Sequence, residues 1–135
     1  MDTADYAIDV GIMKRYNDES AESETLKAAV DGFSNVSSTA SDNYVTFRLI
    51  SDTHNRTFNT KLENCLYQFD VFSTSLLKAK QIAGLIMDVY DDHGITVGDD
   101  YTLIHLTRQI NRYINKEEDT GLHHYYIEYR IEVEN

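Results

Sequence analysis

Residues 63–92 read ENCLYQFDVFSTSLLKAKQIAGLIMDVYDD, and two periodicities meet inside them. Over 63–72, Cys65, Tyr67, Phe69 and Val71 alternate with Asn64, Gln68 and Asp70, the period-two pattern of a strand with one face in a core. Further on, the apolar spacing changes to three and four: Ala79, Ile82, Ala83, Ile86, Val89 and Tyr90 trace one stripe of a helix. Ser73 or Thr74 supplies the capping oxygen at its start. Gly94, after Asp91, Asp92 and His93, suits a left-handed stop. A strand feeding directly into a helix over 74–91 is thus the nucleus of the fold.

Upstream, residues 44–50 alternate as well, with Val45, Phe47 and Leu49 on one side and Thr46 and Arg48 on the other. This strand pairs antiparallel with 63–72 across a polar loop, 51–61 (SDTHNRTFNTK). Further back, 5–16 reads as a first helix with a broad apolar stripe around Ala7, Val10, Gly11 and Lys14, flanked by Tyr6, Ile8, Ile12 and Met13. Residues 25–33 suit a short second helix through Leu26, Ala29, Val30 and Phe33. The surrounding segment 18–43 is polar, and within it 34–43 has so few apolar groups that a mobile loop is expected.

Downstream, 101–114 fits two templates. Ile104, Leu106, Ile110 and Ile114 share one face of a strand, while Leu103, Leu106, Ile110 and Ile114 would also serve a helix. The Thr, Ile and Tyr content favours a bulged strand. Residues 122–133 alternate over their whole length, with Tyr125, Ile127, Tyr129, Ile131 and Val133 inward. The expected order is α-(α)-β-β-α-β-β: an α+β fold, a mostly antiparallel sheet of about four strands with helices packed on one face. At 135 residues the chain is read as a single domain, 1–135.

Composition narrows the function. Twelve Lys and Arg against 23 Asp and Glu leave a net charge of −11, which repels phosphate backbones and anionic membranes rather than gripping them. No apolar run approaches the ~20 residues that span a bilayer, and the start, MDTAD, has none of the basic-then-apolar character of an export signal. Cys65 is the only cysteine, so an intrachain disulfide is excluded, and its place in an alternating strand suits a buried, inert thiol.

Chemistry is sparse. His123 and His124 are adjacent in a strand and point to opposite faces, while His54, His93 and His105 have no metal-ligand spacing. The acidic group Asp88, Asp91, Asp92, Asp99 and Asp100 fails the calcium-loop pattern, because Thr96 stands where that loop needs Gly. No Gly-x-Ser-x-Gly, no phosphate loop and no basic neighbour of Cys65 are present. The chain is therefore read as no enzyme, with no catalytic, cofactor-binding or metal residues and no cofactor. Phe72 and Tyr126 point to the outward faces of their strands and Phe58 sits in the long loop, all three suited to protein contacts.

The segments YVTFRLISDTHNRTF (44–58) and 63–92 together resemble the tail-completion and tail-terminator (head-to-tail joining) proteins of long-tailed bacteriophages. The likeness rests on Gln68, Phe69, Asp70, Val71, Phe72 and Ser73 in the second strand and on Ala79, Ile82, Ala83 and Ile86 in the helix after it. The Tyr-rich closing strand 125–133 fits loosely. Unlike many members, the chain has no Pro before its first strand and a longer polar segment, 18–43. The resemblance implies a structural virion assembly protein, monomeric when free, that forms a hexameric ring capping the tail tube. Its partners would be further copies of itself, the tail tube protein and the head connector or head-closure protein. DNA would pass through without specific binding, and no membrane would be involved. The place would be the head-proximal end of the tail in the virion, and the host cytoplasm during assembly. The competing reading is a small ligand-binding or regulatory α+β domain of non-viral origin, with a pocket between helix 74–91 and the sheet.

Overall fold

A computed structural model describes residues 2–36, 42–56, 61–91 and 93–135, with the backbone alone at 55 and 56. In order the elements are α1 (Ala4–Tyr16), α2 (Ala21–Ala29), β1 (Gly32–Ser34), β2 (Asn43–Arg56), β3 (Lys61–Ser73), α3 (Leu76–Tyr90), β4 (Thr102–Lys116) and β5 (His123–Glu134). The expected α+β class holds. Among the described residues the sheet has five strands, in the order β1-β2-β3-β5-β4. The additional strand, β1, runs parallel to β2 through Phe33 opposite Val45; the other pairs are antiparallel.

The alternation read from 63–72 is the burial pattern of β3, the central strand. Cys65, Tyr67 and Val71 are fully buried, as are Phe47 on β2 and Ile127 and Ile131 on β5. The rings of Phe33, Phe47, Tyr90 and Tyr129 all approach Phe69, with centroids 6.2, 5.7, 5.2 and 5.5 Å away, in the tilted and offset geometries that ring quadrupoles favour. Onto this face α3 lowers Ala79, Ile82, Ala83 and Ile86, none more than 1% exposed. Small residues alternating with isoleucine let the helix lie close to the flat aromatic layer.

The caps of α3 differ from expectation. Ser75, not Ser73 or Thr74, is the N-cap, its side chain accepting from the Lys78 amide, while the Ser73 hydroxyl accepts from the Ser75 amide at 3.3 Å. At the other end the helix stops at Asp91, in extended conformation, and the positive-φ glycines are Gly98 and Gly121, not Gly94. Asp91 needs no left-handed residue because its carboxylate is held from the sheet: it accepts from Tyr129 Oη at 2.6 Å and pairs with Arg108 at 3.1 Å.

α1 is locked over the same core by backbone-directed bonds. Tyr90 Oη donates to the Ile12 carbonyl at 2.7 Å, and Arg15 Nε donates to the Val89 carbonyl at 3.0 Å. Gly11 lies so close to the chain after α3 that a Cβ there would collide with the Thr96 carbonyl. α2 begins at Ala21, earlier than read, with Ser20 as its N-cap, and Ser23 Oγ ties it to the Arg15 carbonyl at 2.6 Å.

Three further expectations change. Segment 18–43 is not simply a polar link: it carries α2 and β1, with Phe33 stacked on Tyr16 at 4.1 Å between centroids. The loop read over 51–61 is mostly strand, since β2 continues to Arg56 and pairs through Arg56 opposite Lys61; residues 37–41 and 57–60, Phe58 included, lie outside the described ones. β4 is a bulged strand, as expected, but its faces are not those read. Register shifts skip Ile104, Gln109 and Ile114, so the inward residues are Leu103, Leu106, Arg108, Asn111 and Tyr113, while Ile104, Ile110 and Ile114 stay 39–47% exposed. Each bulge reverses the alternation and twists the strand, which also makes this free edge a poor template for further pairing. No described helix is long and apolar enough to cross a membrane.

Because Ile86 is fully buried in an apolar layer, Ile86→Asp places an unpaired carboxylate there and should cost on the order of 4 kcal/mol or more. Denaturant or thermal unfolding reads this directly; a variant that melts at the wild-type temperature contradicts the packing.

Candidate functional site

Among the described residues, the helices cover one face of the sheet and leave the other open. On the open face, β2, β3 and β5 present a row of rings: Phe72 stacks on Tyr44 with centroids 4.8 Å apart and on His124 at 4.4 Å. The register puts these side by side, since Tyr44 is opposite Phe72 and Phe72 opposite His124. In the next row, Arg112 lies over the Tyr126 ring, 5.6 Å from its centroid, where a guanidinium is held by the ring quadrupole.

In that same row, directly opposite Tyr126, sits Asp70, 5% exposed although it belongs to the open face. His124 Nε2 lies 2.7 Å from its Oδ1, Gln68 donates to the same oxygen at 2.7 Å, and Arg48 Nε is 3.7 Å from Oδ2. The flanking rings and long side chains remove Asp70 from water, and three polar partners compensate it, as a buried carboxylate requires. The face is close to neutral. Arg48, Arg112 and Arg130 stand among Asp70, Glu128, Glu132 and Glu134 on outward strand positions, so most of the −11 charge lies elsewhere.

The remaining ionisable groups divide by position. Burial pushes the Cys65 thiol up, with Asp52 and Glu63 adding to it, which leaves a protonated, unreactive sulfur, the inert thiol expected. Tyr67 Oη donates to Asp9 at 2.7 Å and to the Asp5 carbonyl at 3.0 Å, and desolvation first, Asp9 second, raise its pKa. His123 and His124 do face opposite ways: the first meets Tyr113 Oη at 3.1 Å, the second Asp70. His105 is on β4 beside Glu132 at 3.7 Å, and His93 follows α3, exposed. Of the acidic group, Asp91 is used as the α3 anchor, Asp88, Asp99 and Asp100 are exposed, and Asp92 is outside the described residues. His54, read as a loop residue, stands on β2, and with Asp52 and Glu63 brings one ligand atom each within 4.8 Å of one another.

Phe72 and Tyr126 are on the open face, as the strand pattern implied. The Asp70–His124 contact has no signature in the sequence, because it joins residues 54 apart and depends on the β3–β5 register.

The sheet thus has one face covered by helices and one open face that carries aromatic side chains. The chain matches the family described as Tail completion protein gp17 over residues 3–134; it belongs to that family, and so to the structural proteins of phage tail assembly. Among solved structures it is similar to a chain of the "Virion of native gene transfer agent (GTA) particle", with TM-score 0.80, 12% identity and full coverage of both chains, a likeness of fold. Comparison with curated proteins returned no match.

Asp9 generates a prediction. Burial first, and the neighbouring Asp5, raise its pKa above the usual 3.8 against the lowering effect of the Tyr67 and Asn35 hydrogen bonds. A carboxyl with a higher pKa folded than unfolded favours folding in acid, and its ionisation subtracts stability as pH rises through the folded value. Asp9→Asn keeps an acceptor for Tyr67 and removes that charge. The variant's melting temperature relative to wild type should therefore rise between about pH 4 and pH 7; a relative fall over that range contradicts it.

Proposed function

We propose that this chain is a tail terminator: a structural subunit, monomeric when free, that assembles as a hexameric ring on the completed tail tube. The ring stops tube growth and presents a surface to the head connector or head-closure protein, at the head-proximal end of the tail. Assembly takes place in the host cytoplasm. DNA passes through the ring without specific binding, and the subunit performs no catalysis and needs no cofactor.

The observation that carries this reading is the family match over residues 3–134. Charge and surface support it. A net charge of −11 on a 15.5 kDa chain opposes self-association at distances within the ~8–10 Å screening length, so a free subunit stays single until partner contacts outweigh repulsion. The near-neutral open face with Tyr44, Phe72 and Tyr126 is where a neighbouring copy can approach at least electrostatic cost. The acidic helix-side segment around Asp88, Asp99 and Asp100 turns to the channel, where negative charge keeps moving DNA from sticking. The competing pocket between α3 and the sheet is filled by Ile82, Ala83, Ile86, Phe69 and Ile127, none more than 1% exposed, which favours the assembly reading over ligand binding.

Ultracentrifugation of the purified chain should give a monomer, and microscopy of tails assembled with it should give capped tails of uniform length that join heads. Phe72→Ser combined with Tyr126→Ser should leave a folded monomer that caps poorly. Uniform tails that join heads without the protein would sink the terminator reading.

A further inference from the structure

The far end of the β2–β3 pair carries a group that neither the core nor the open face uses. The register sets Asp52 opposite Cys65 and His54 opposite Glu63, so Asp52 and His54, two apart on one strand, share the helix-side face with Glu63 on the next. Cys65 beneath them is fully buried. His54 Nδ1 is 3.5 Å from Glu63 Oε1, and one ligand atom from each of Asp52, His54 and Glu63 lies within 4.8 Å of the other two.

Two further observations separate this group from an ordinary surface cluster. Asp52 Oδ1 is shut off from solvent and has no hydrogen-bond partner among the described residues. Such an oxygen costs stability unless something neutralises it. The three side chains also line a cavity of about 310 Å³ closed by the start of α1, where Asp2 and Asp5 add two more carboxylates and Tyr101 forms a wall. Among the described residues lining it, His54 is the only one with a basic side chain. The cavity thus brings an imidazole and a buried carboxylate oxygen with no hydrogen-bond partner among the described residues together with further carboxylates.

We propose that Asp52, His54 and Glu63 bind a single divalent first-row transition cation. One imidazole and two carboxylates form a mixed nitrogen–oxygen set that suits Zn²⁺ or Mn²⁺ better than Mg²⁺ or Ca²⁺, which take oxygen ligands. Ligand distances of about 2.0–2.2 Å for Zn²⁺ need only a small closure of the three side chains, and the cavity leaves room for water at the open coordination positions. Bound there, the ion clips β2 to β3 beyond the reach of α3 and offsets the negative charge under the first turn of α1. The role is structural, and it is independent of the terminator reading.

The test uses the full chain without an affinity tag, freed of metal by chelator, titrated calorimetrically with Zn²⁺ and, in a parallel run, Mg²⁺. Zn²⁺ should bind with a single equivalent and raise the melting temperature, with Mg²⁺ much weaker. His54→Gln, at a half-exposed position, should still fold and should weaken Zn²⁺ binding by at least about tenfold; Asp52→Asn should do the same. His105→Gln, which removes another histidine beside a carboxylate, should leave binding unchanged. Absence of saturable Zn²⁺ binding below about 1 mM, or binding that survives His54→Gln or is lost in His105→Gln, overturns the site.

Discussion

Phe69 sits on the middle strand where four other rings converge, and the Ala79, Ile82, Ala83, Ile86 stripe of α3 closes over it. That contact positions α1 and the end of α3. Tyr90, carried by α3 into the aromatic layer, reaches through it to the Ile12 carbonyl and so fixes α1. Tyr129, from the neighbouring strand, reaches out to Asp91 and so fixes where α3 ends. Burial raises the pKa of both hydroxyls, which keeps them protonated donors at neutral pH. The layer is therefore pinned at its polar edges by phenols whose rings belong to the core.

The same architecture leaves the second face of the sheet without cover. A one-sided sheet ordinarily carries polar residues there, and much of this face obeys. The exception is the band of Tyr44, Phe72, His124 and Tyr126 around a desolvated Asp70. Ring stacking and a compensated carboxylate tie the side chains of that band to one another, and side chains held in place lower the ordering cost of binding. In a tail completion protein, a pre-organised face of low net charge on a strongly acidic chain reconciles two demands. On the proposed terminator reading, the subunit would repel its own kind at long range and offer complementary surface at short range.

What could be read from the sequence tracked burial. Strand β3, helix α3 and strand β5 were legible because each keeps one strict period against the core, from Cys65 to Val71, Ala79 to Tyr90 and Tyr125 to Val133. β4 resisted because its skipped residues, Ile104, Gln109 and Ile114, recur every five positions; superposed on a two-residue alternation, that spacing imitates a helix and misassigns the exposed isoleucines. β1 is three residues long, too short for any period. The end of β2 looked like a loop because Asp52 and His54 face a polar cavity instead of apolar packing. Candidate contact residues were partly visible: an aromatic on the wrong face of a strand, such as Phe72 or Tyr126, declares itself. The Asp70–His124 pair and the Asp52–His54–Glu63 group did not, since strand register brings them together and no sequence spacing encodes it.

The central claim is that the open aromatic face of the sheet is the assembly surface. Hydroxyl-radical footprinting of the free chain and of the chain in completed tails measures it at individual rings. The account predicts that Tyr44, Phe72 and Tyr126 are oxidised in the free subunit and protected in tails, while Tyr6, 56% exposed on the helix side, changes less. Equal oxidation of Phe72 and Tyr126 in both states, with protection at Tyr6 instead, would contradict it.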